Sequence, residues 1–374
     1  MTMANSPTCN AQCVYYGNDS LNSSQIDLTA IVAGQDVISS IYICIGVIGT
    51  LLNGLVVYIL VNKKILRSRI LRHLMINLAV ADLCSALAVI LLGTKTFYII
   101  NFSSSTRMNQ EVNLSLFGQE LNGICKSSYI IFFMTNFVST LNLTIIAIDR
   151  YRTFVVNNMV SIRSKQVSLG KIRLLIACFW VVSIGFAFPF IETFELTPRV
   201  NNRCLFAHSY KHCTYNIVLM AIVLSLFCAL PAVIMIFCYF NIILFLRKHA
   251  TGTKNLLNNN KENQARDLNH TKLFAVITFA FTITVTPFMG YLIYVSWTNC
   301  NADEILQYLL IKSAYGWIAF HEVAHFLFIL PPIINPLCYT FSSRSYRKAI
   351  LNGCQCNKAT AIGPSTQTNS TSNR

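Results

Sequence analysis

The chain has 374 residues, of which 54% are hydrophobic and only 11% charged, and its mean hydropathy is +0.52. A soluble domain carries about 25% charged residues, so this composition excludes an ordinary water-soluble protein. The net charge of +15 would suit nucleic-acid binding, but the basic residues stand between long apolar runs, which favours a membrane protein instead.

Seven apolar segments follow one another along the chain, each long enough to cross a bilayer as a helix of about 20 residues. Backbone groups in lipid must hydrogen-bond within their own segment, so helices are expected and strands are not. We predict an all-α membrane protein, a bundle of seven transmembrane helices followed by a short amphipathic eighth helix. The predicted spans 1 to 7 are residues 37–62, 73–94, 127–148, 174–191, 213–246, 273–302 and 313–343.

The basic residues also predict the orientation of the chain. Most of the 29 Lys and Arg residues follow spans 1, 3, 5 and 7, and the first 36 residues contain none. Because basic loops stay in the cytoplasm, the N-terminus is predicted to be extracellular, in a multi-pass protein of the plasma membrane. Four sequons then lie outside and are glycosylation candidates: Asn18, Asn22, Asn101 and Asn113. The predicted regions are a glycosylated N-terminus (1–36), the bundle (37–341), helix 8 (342–353) and a disordered tail (354–374).

Polar residues inside the spans are few, and such residues are functional candidates because lipid makes them costly. With the prolines and aromatics around them they form an ordered set: Asn53, Asn77, Asp82, Asp149-Arg150-Tyr151, Trp180, Pro189, Pro231, Tyr239, Phe281, Pro287 and Asn335-Pro336-Leu337-Cys338-Tyr339. This set resembles the rhodopsin-like (class A) family of G-protein-coupled receptors, in particular its peptide receptors, over all seven spans. The resemblance implies a receptor. The spans contain no HExxH motif, no GxSxG motif and no clustered metal ligands, so the sequence offers no candidate catalytic site.

The resemblance implies an activation switch at the inner ends of the spans. Arg150 would pair at rest with Asp149 and with Asp267, the acid at the matching position of span 6, and would meet Tyr239 and Tyr339 in the active state. The implied residues for G-protein coupling are Asp149, Arg150, Tyr151, Asp267, Tyr239, Asn335, Pro336 and Tyr339. The alternative is that Asp149 and Arg150 are ordinary interfacial charges.

A polar cluster around Asp82 is also implied, with Asn53, Ser139 and Asn335 as its neighbours. Family members often hold a sodium ion there, and no other cofactor is expected. Pro331 and Pro332 replace the usual Asn and Ser before Asn335, so a hydrogen-bonded cluster without an ion stands equally as an alternative. Val285 replaces the aromatic residue that usually lies two positions before the proline of span 6.

The resemblance also implies covalent features. Cys125 occupies the position of the disulfide cysteine at the top of span 3, with Cys204 as its partner. The pairing of Cys9, Cys13, Cys213 and Cys300 stays open. After the amphipathic helix, Cys354 and Cys356 would lie at membrane level as palmitoylation sites, with free thiols as the alternative.

Two positions in the outer half differ from well-known branches of the family and disfavour their ligands. Phe132 stands where amine receptors have Asp, which disfavours a monoamine ligand. Ile329 stands where opsins have the retinal-binding Lys, which disfavours a photoreceptor. The expected pocket lining is apolar and aromatic, with Lys95 and Glu322 near its mouth: Lys95, Phe132, Phe133, Asn136, Phe137, Phe288, Met289, Leu292, Glu322, His325 and Phe328. The long loop between spans 2 and 3 and the polar loop 192–212 favour a neuropeptide-like agonist over a lipid. The alternative is that these three residues do not bind the ligand. His325 would then be a hydrogen-bonded packing residue, Lys95 would extend to the surface, and Glu322 would pair with Lys95 or with a histidine.

The expected partners are an extracellular ligand, a heterotrimeric G protein, membrane lipids and, through the Ser/Thr-rich tail, arrestin, but not nucleic acid. A transporter or channel is disfavoured because no internal repeat is visible. A receptor-like protein that does not signal is a further alternative, because Val285, Pro331 and Pro332 depart from the family pattern.

Overall fold

The computed structural model describes residues 28–62, 68–105, 111–156, 168–192, 194–197, 203–206, 213–250, 258–298, 315–342, 346–348 and 350. Across these ranges the chain is helical apart from two short strands. Six helices are long and apolar enough to cross a membrane, and a pair of helices bent by 55° provides the seventh span. The predicted seven-helix bundle is therefore confirmed, with one small β-hairpin added to it.

The spans have the following bounds in the structure. Span 1 is Leu28–Asn62, span 2 is Arg69–Ser105, and span 3 is Glu111–Tyr151 with a π-helical turn at Arg152–Val156. Span 4 is Leu169–Ala187, followed by the 3-10 turn Phe188–Glu192. Span 5 comprises Cys213–Leu224, the π-helical turn Ser225–Ala229 and Leu230–Ala250. Span 6 is Asn258–Thr298, and span 7 comprises Tyr315–Phe328 and Pro331–Ser342.

The outer connection between spans 2 and 3 differs from the prediction. We expected a long loop, but both helices continue beyond the apolar core, and the sequons at Asn101 and Asn113 lie on these helical extensions. The segment contains no proline, so every backbone N–H in these extensions is available as a helical hydrogen-bond donor.

The outer connection between spans 4 and 5 contains the hairpin, which the sequence analysis did not predict. Strand β1 (Phe194–Thr197) pairs antiparallel with β2 (Arg203–Phe206), with Leu196 opposite Cys204. The pairing satisfies backbone N–H and C=O groups of these two segments, which are not part of a helix. The hairpin lies against span 3, over the outer end of the bundle.

Span 7 is divided by two consecutive prolines. Pro331 and Pro332 have no N–H, so the carbonyls of Leu327 and Phe328 lose their usual helical donors. The Leu330 N–H instead donates to the Leu327 carbonyl at 3.2 Å, and a new helix begins with the Leu330 carbonyl as acceptor. The bend of 55° follows from this interruption, and we refer to the two parts as the outer helix and the inner helix of span 7.

Spans 1 and 2 pack closely because glycines face the partner helix. A Cβ on Gly46 would lie 2.8 Å from the Ala86 carbonyl, and one on Gly93 would lie 2.9 Å from the Ser39 carbonyl. Span 3 contacts most of the other helices; among the six unbroken spans it is the most buried, and span 4 is the least buried.

Part of the predicted helix 8 is described. Residues 346–348 and 350 have helical backbone. Tyr346 is buried and packs against Tyr339, with ring centroids 6.3 Å apart. The Arg347 guanidinium donates to the carbonyls of Thr340 and Phe341, which caps the end of span 7.

Candidate functional site

Asp82 lies at the centre of a buried polar cluster. The Asn335 amide donates to Asp82 Oδ2 at 2.8 Å, and the Ser139 hydroxyl donates to Oδ1 at 3.5 Å. All three side chains are at most 2% exposed. The cluster therefore joins spans 2, 3 and 7 through one carboxyl group, because a buried acid requires hydrogen-bond partners.

Asn53, which the resemblance placed around Asp82, bonds elsewhere. Its amide donates to the carbonyls of Gly49 at 2.9 Å and Pro332 at 2.7 Å. The Pro332 carbonyl would normally accept from residue 336, which is a proline and has no N–H. Asn53 thus satisfies a carbonyl that Pro336 leaves without its helical donor, and it ties span 1 to span 7.

The residues of this cluster match part of a cation site. Hard cations bind carboxylate, hydroxyl and amide oxygens, and Asp82, Ser139 and Asn335 supply all three. The Oδ1 atoms of Asn335 and Asn53 are buried and find no hydrogen-bond partner among the described residues. Pro331 and Pro332 supply no side-chain oxygen, so the donor set is smaller than the one the family resemblance implied.

A second hydrogen-bonded group lies beside the first and was given no role in the sequence analysis. The Trp180 indole N–H donates to Asn77 Oδ1 at 2.9 Å, joining spans 4 and 2. Asn142 donates to the Leu74 carbonyl at 2.6 Å, joining spans 3 and 2. The signal was present in the sequence, because three polar side chains in otherwise apolar spans require partners.

Arg150 lies at the inner end of span 3, where it pairs with the adjacent Asp149 at 2.5 Å. The Arg150 side chain is only 5% exposed, whereas the Asp149 side chain is 24% exposed. The Nε atom of Arg150 is buried and has no hydrogen-bond partner among the described residues. Among the described residues, the buried guanidinium is held by the carboxylate of the adjacent Asp149, and this ion pair must loosen before Arg150 can bind a new partner.

The tyrosines implied as partners of Arg150 are placed as follows. The Tyr239 hydroxyl lies 3.4 Å from the Thr278 hydroxyl, which links spans 5 and 6. Tyr339 is fully buried and its hydroxyl has no partner within the described part of the chain. Tyr151 packs against Phe237 of span 5. Asp267 lies on the span 6 helix, but its side chain is outside the described residues, and so is any ion pair it makes.

The outer half of the bundle is filled by phenylalanine rings. Phe133 stacks on Phe190 with centroids 4.4 Å apart, and Phe137 stacks on Phe227 at 4.2 Å. These contacts join span 3 to spans 4 and 5. Phe328 of span 7 is the common neighbour of three further rings, which stand 4.5 to 5.6 Å from it: Phe288, Phe132 and Phe133.

His325 is bonded on both sides of its ring. Its Nδ1 lies 2.6 Å from the Tyr42 hydroxyl of span 1, and its Nε2 lies 2.8 Å from the Tyr129 hydroxyl of span 3. His325 was an expected lining residue but neither tyrosine was, because a single sequence does not show which tyrosines face the interior. A ligand that bonded this imidazole would have to displace a tyrosine.

The other expected lining residues are distributed as follows. Met289 and Leu292 of span 6 are buried, as is Asn136, whose amide donates to the Phe132 carbonyl of its own helix. Glu322 is half-buried on the outer helix of span 7. Lys95 lies on the span 2 helix, and its side chain is outside the described residues.

Only some of the residues predicted to form a disulfide or to be modified lie within the described part of the chain. Cys125 is buried and disulfide-bonded. Cys204 lies on β2, which contacts span 3, but its side chain is outside the described residues. Asn18, Asn22, Cys354 and Cys356 lie wholly outside them.

Comparison with known proteins agrees with this geometry. Residues 52–339 match the family described as 7 transmembrane receptor (rhodopsin family). The chain is 25% identical to human neuropeptide Y receptor type 2, over 88% of this chain and 79% of that protein, and 29% identical to human cysteinyl leukotriene receptor 1, over 73% of each.

A solved structure shares the fold. The crystal structure of squid rhodopsin matches with a TM-score of 0.66 at 20% identity, over 88% of this chain and 82% of that one. The match of the family to most of the chain, together with the seven spans, identifies the protein as a member of the rhodopsin family of seven-transmembrane receptors, which are signalling receptors and not enzymes.

Proposed function

We propose that this receptor binds an extracellular ligand and activates a heterotrimeric G protein through outward movement of span 6. The observation that carries the proposal is Arg150, a buried arginine at the inner end of the bundle that is paired with its neighbour Asp149. Tyr239 stands on the adjacent span 5, hydrogen-bonded to Thr278 of span 6. Separation of spans 5 and 6 would break that contact and free Tyr239 for Arg150.

Pro287 provides a weak point in the span 6 helix, about which the inner part of the span would move. It lies inside the helix, so the carbonyl four residues earlier has no helical donor and the helix is weakened there. The residues after it, Phe288 and Met289, are buried in the outer half, whereas Thr278 and Asp267 lie towards the inner end. We propose that Asp267 holds Arg150 at rest and loses it on activation.

For the ligand we propose a neuropeptide-like agonist. One relative is named as a neuropeptide Y receptor, and the outer end has a hairpin and helical extensions that offer a broad surface for a peptide. A small hydrophobic ligand is the alternative, favoured by the aromatic packing and by the relative that is named as a leukotriene receptor.

Separate peptide and lipid libraries, applied to cells that express the full chain, discriminate between these ligands. We expect peptides to signal and the Asn136→Ala variant to weaken the response, while Asn241→Ala, at a half-buried residue whose amide bonds the Phe237 carbonyl of its own helix, leaves it unchanged. A response to lipids alone would replace the peptide proposal with its alternative. Surface staining of each variant controls for expression.

The non-signalling alternative is tested without knowledge of the ligand. Purified receptor in nanodiscs is mixed with each class of G protein, and GDP release is measured in the basal state and with each library pool. Acceleration by any pool supports the receptor proposal. Absence of acceleration throughout, from protein that is folded by its circular dichroism, would favour a receptor-like protein that does not couple.

We further propose that Asp82, Ser139 and Asn335 hold a sodium ion, because they present oxygen atoms of three kinds around one buried acid. Sodium chloride should then raise the thermal unfolding temperature above that in potassium chloride, and Asp82→Asn should remove the difference. Equal unfolding temperatures in the two salts would support the hydrogen-bonded cluster without an ion.

The remaining proposals assume the predicted orientation, with the N-terminus outside the cell. We propose anionic lipid headgroups as partners of the basic inner connections and arrestin as a partner of the tail once its serines and threonines are phosphorylated. Glycans at the outer sequons, palmitoyl groups on Cys354 and Cys356 and a Cys125–Cys204 disulfide are readily tested by mass spectrometry.

A further inference from the structure

We propose that His325 is a positioning residue that holds the outer helix of span 7 against spans 1 and 3, and that movement of this helix about the double-proline break acts on span 6 through Phe328 and Phe288. The signalling part of the inference rests on the proposed function. The positioning part concerns the receptor alone and is tested separately.

The hydrogen bonds of His325 fix its ring from two sides. A neutral imidazole has one N–H donor and one acceptor nitrogen. With Tyr42 at Nδ1 and Tyr129 at Nε2, one tyrosine donates to the ring and the other accepts from it. His325 is only 7% exposed, so water competes poorly for these groups. The ring thereby connects three spans at one level of the bundle.

The break at Pro331 and Pro332 makes this connection important. The outer helix ends at Phe328, three residues after His325, and the regular hydrogen-bond ladder is interrupted before the inner helix begins. The inner helix is held by Asn53 and Asp82 through Pro332 and Asn335. The outer helix lies on the other side of the interruption, so those bonds do not fix its position, and side-chain contacts such as those of His325 must contribute to it.

The outer helix is also in contact with span 6. Phe328 is fully buried and stacks on Phe288 with centroids 4.5 Å apart and planes 26° apart. Phe288 directly follows Pro287 and also makes an edge contact with His325 at 5.2 Å. A shift of the outer helix would therefore move a ring against the residue next to Pro287, where the span 6 helix is weakened. Val285 leaves span 6 without an aromatic residue two positions before that proline, so Phe288 can perform this role instead.

Hydrogen–deuterium exchange of the full-length receptor in nanodiscs tests the positioning. His325→Phe removes both hydrogen bonds, and the double variant Tyr42→Phe, Tyr129→Phe removes them while keeping the histidine. Backbone amides of residues 322–328 should exchange roughly tenfold faster in both variants, while those of residues 333–341 keep their rates. His325→Gln, which retains a donor and an acceptor, should recover part of the protection.

Tyr58→Phe is the matched control, because Tyr58 is an exposed tyrosine on span 1. It should leave the exchange of residues 322–328 unchanged. If His325→Phe is too unstable to purify, the tyrosine double variant decides. Unchanged exchange of the outer helix in a folded variant, or equal acceleration in both helices of span 7, would overturn the positioning role.

A double-mutant cycle tests the connection to span 6. If the wild-type receptor releases GDP from a G protein, His325→Phe should change basal release several-fold. The same substitution in a Phe328→Leu background should have a clearly smaller effect, because the stacked ring that carries most of the shift is missing and only the direct edge contact of residue 325 with Phe288 is left. An equal change in both backgrounds would overturn this route, whereas a receptor that never releases GDP contradicts the proposed function and leaves the exchange result to decide the positioning.

Discussion

The inner and outer halves of the bundle are held together by different chemistry. In the inner half, side chains such as Asp82, Asn335 and Asn53 bind defined partners across spans at 2.7 to 2.8 Å. The outer half is filled by stacked phenylalanine rings, with the bonded group Tyr42–His325–Tyr129 among them. A buried polar group admits few arrangements, because each unmet hydrogen bond is costly. Aromatic rings pack in many ways, so a shared inner mechanism can accompany a divergent ligand site.

The largest effect is expected from the outer half. Phe328→Ala should lower stability by about 3 to 5 kcal/mol, because a fully buried ring that touches three others leaves a cavity. The unfolding temperature of purified receptor in detergent measures the change. Phe326→Ala is the control, since that ring is 39% exposed and should matter much less. Similar losses from the two substitutions would show that ring packing does not hold the outer half together.

In the inner half, Asn53→Ala should lower the free energy of unfolding by about 2 kcal/mol. It removes two hydrogen bonds and leaves the buried Pro332 carbonyl without this donor. Asn62→Ala removes one bond to the Tyr58 carbonyl at the exposed end of the same span, and should have little effect. The same unfolding assay compares them. If Asn53→Ala were as mild as Asn62→Ala, the tie between spans 1 and 7 would lie elsewhere.

The smallest effect is expected from the hydrogen bond that joins spans 4 and 2. Trp180→Phe keeps most of the aromatic surface and removes one hydrogen bond to Asn77, so the free energy of unfolding should fall by about 1 kcal/mol. Because both substitutions break the same hydrogen bond, Asn77→Ala should lower the free energy of unfolding less in the Trp180→Phe background than in the wild type. Strict additivity in the unfolding assay would contradict a shared interaction.

The sequence predicted the inner half better than the outer half. Polar side chains in lipid are conspicuous in a sequence, so Asp82 and Asn335 were expected to meet, and the structure brings them together. Asn53 was expected in the same group but bonds the Pro332 carbonyl. That acceptor is backbone, exposed by a proline on another span, and side-chain patterns do not reveal such acceptors.

The outer half depended on features that leave little trace in one sequence. The helical extensions of spans 2 and 3 lie in polar segments with no apolar period, and the hairpin consists of two four-residue strands. Pro331 and Pro332 were visible, but the bend of 55° depends on how the freed backbone groups find new partners. Tyr42 and Tyr129 were two among 16 tyrosines until the fold brought them to His325.

The central claim is that a buried Arg150 transmits the state of the bundle to a G protein. The direct measurement is GDP release from purified G proteins by the receptor in nanodiscs, for wild type, Arg150→Ala and Arg173→Ala, with Arg173 chosen as an exposed arginine at the start of span 4. We predict acceleration by the wild type and by Arg173→Ala, and its loss in Arg150→Ala. Acceleration that survives in Arg150→Ala, or no acceleration of any G protein by the wild type under any peptide or lipid pool, would contradict the account.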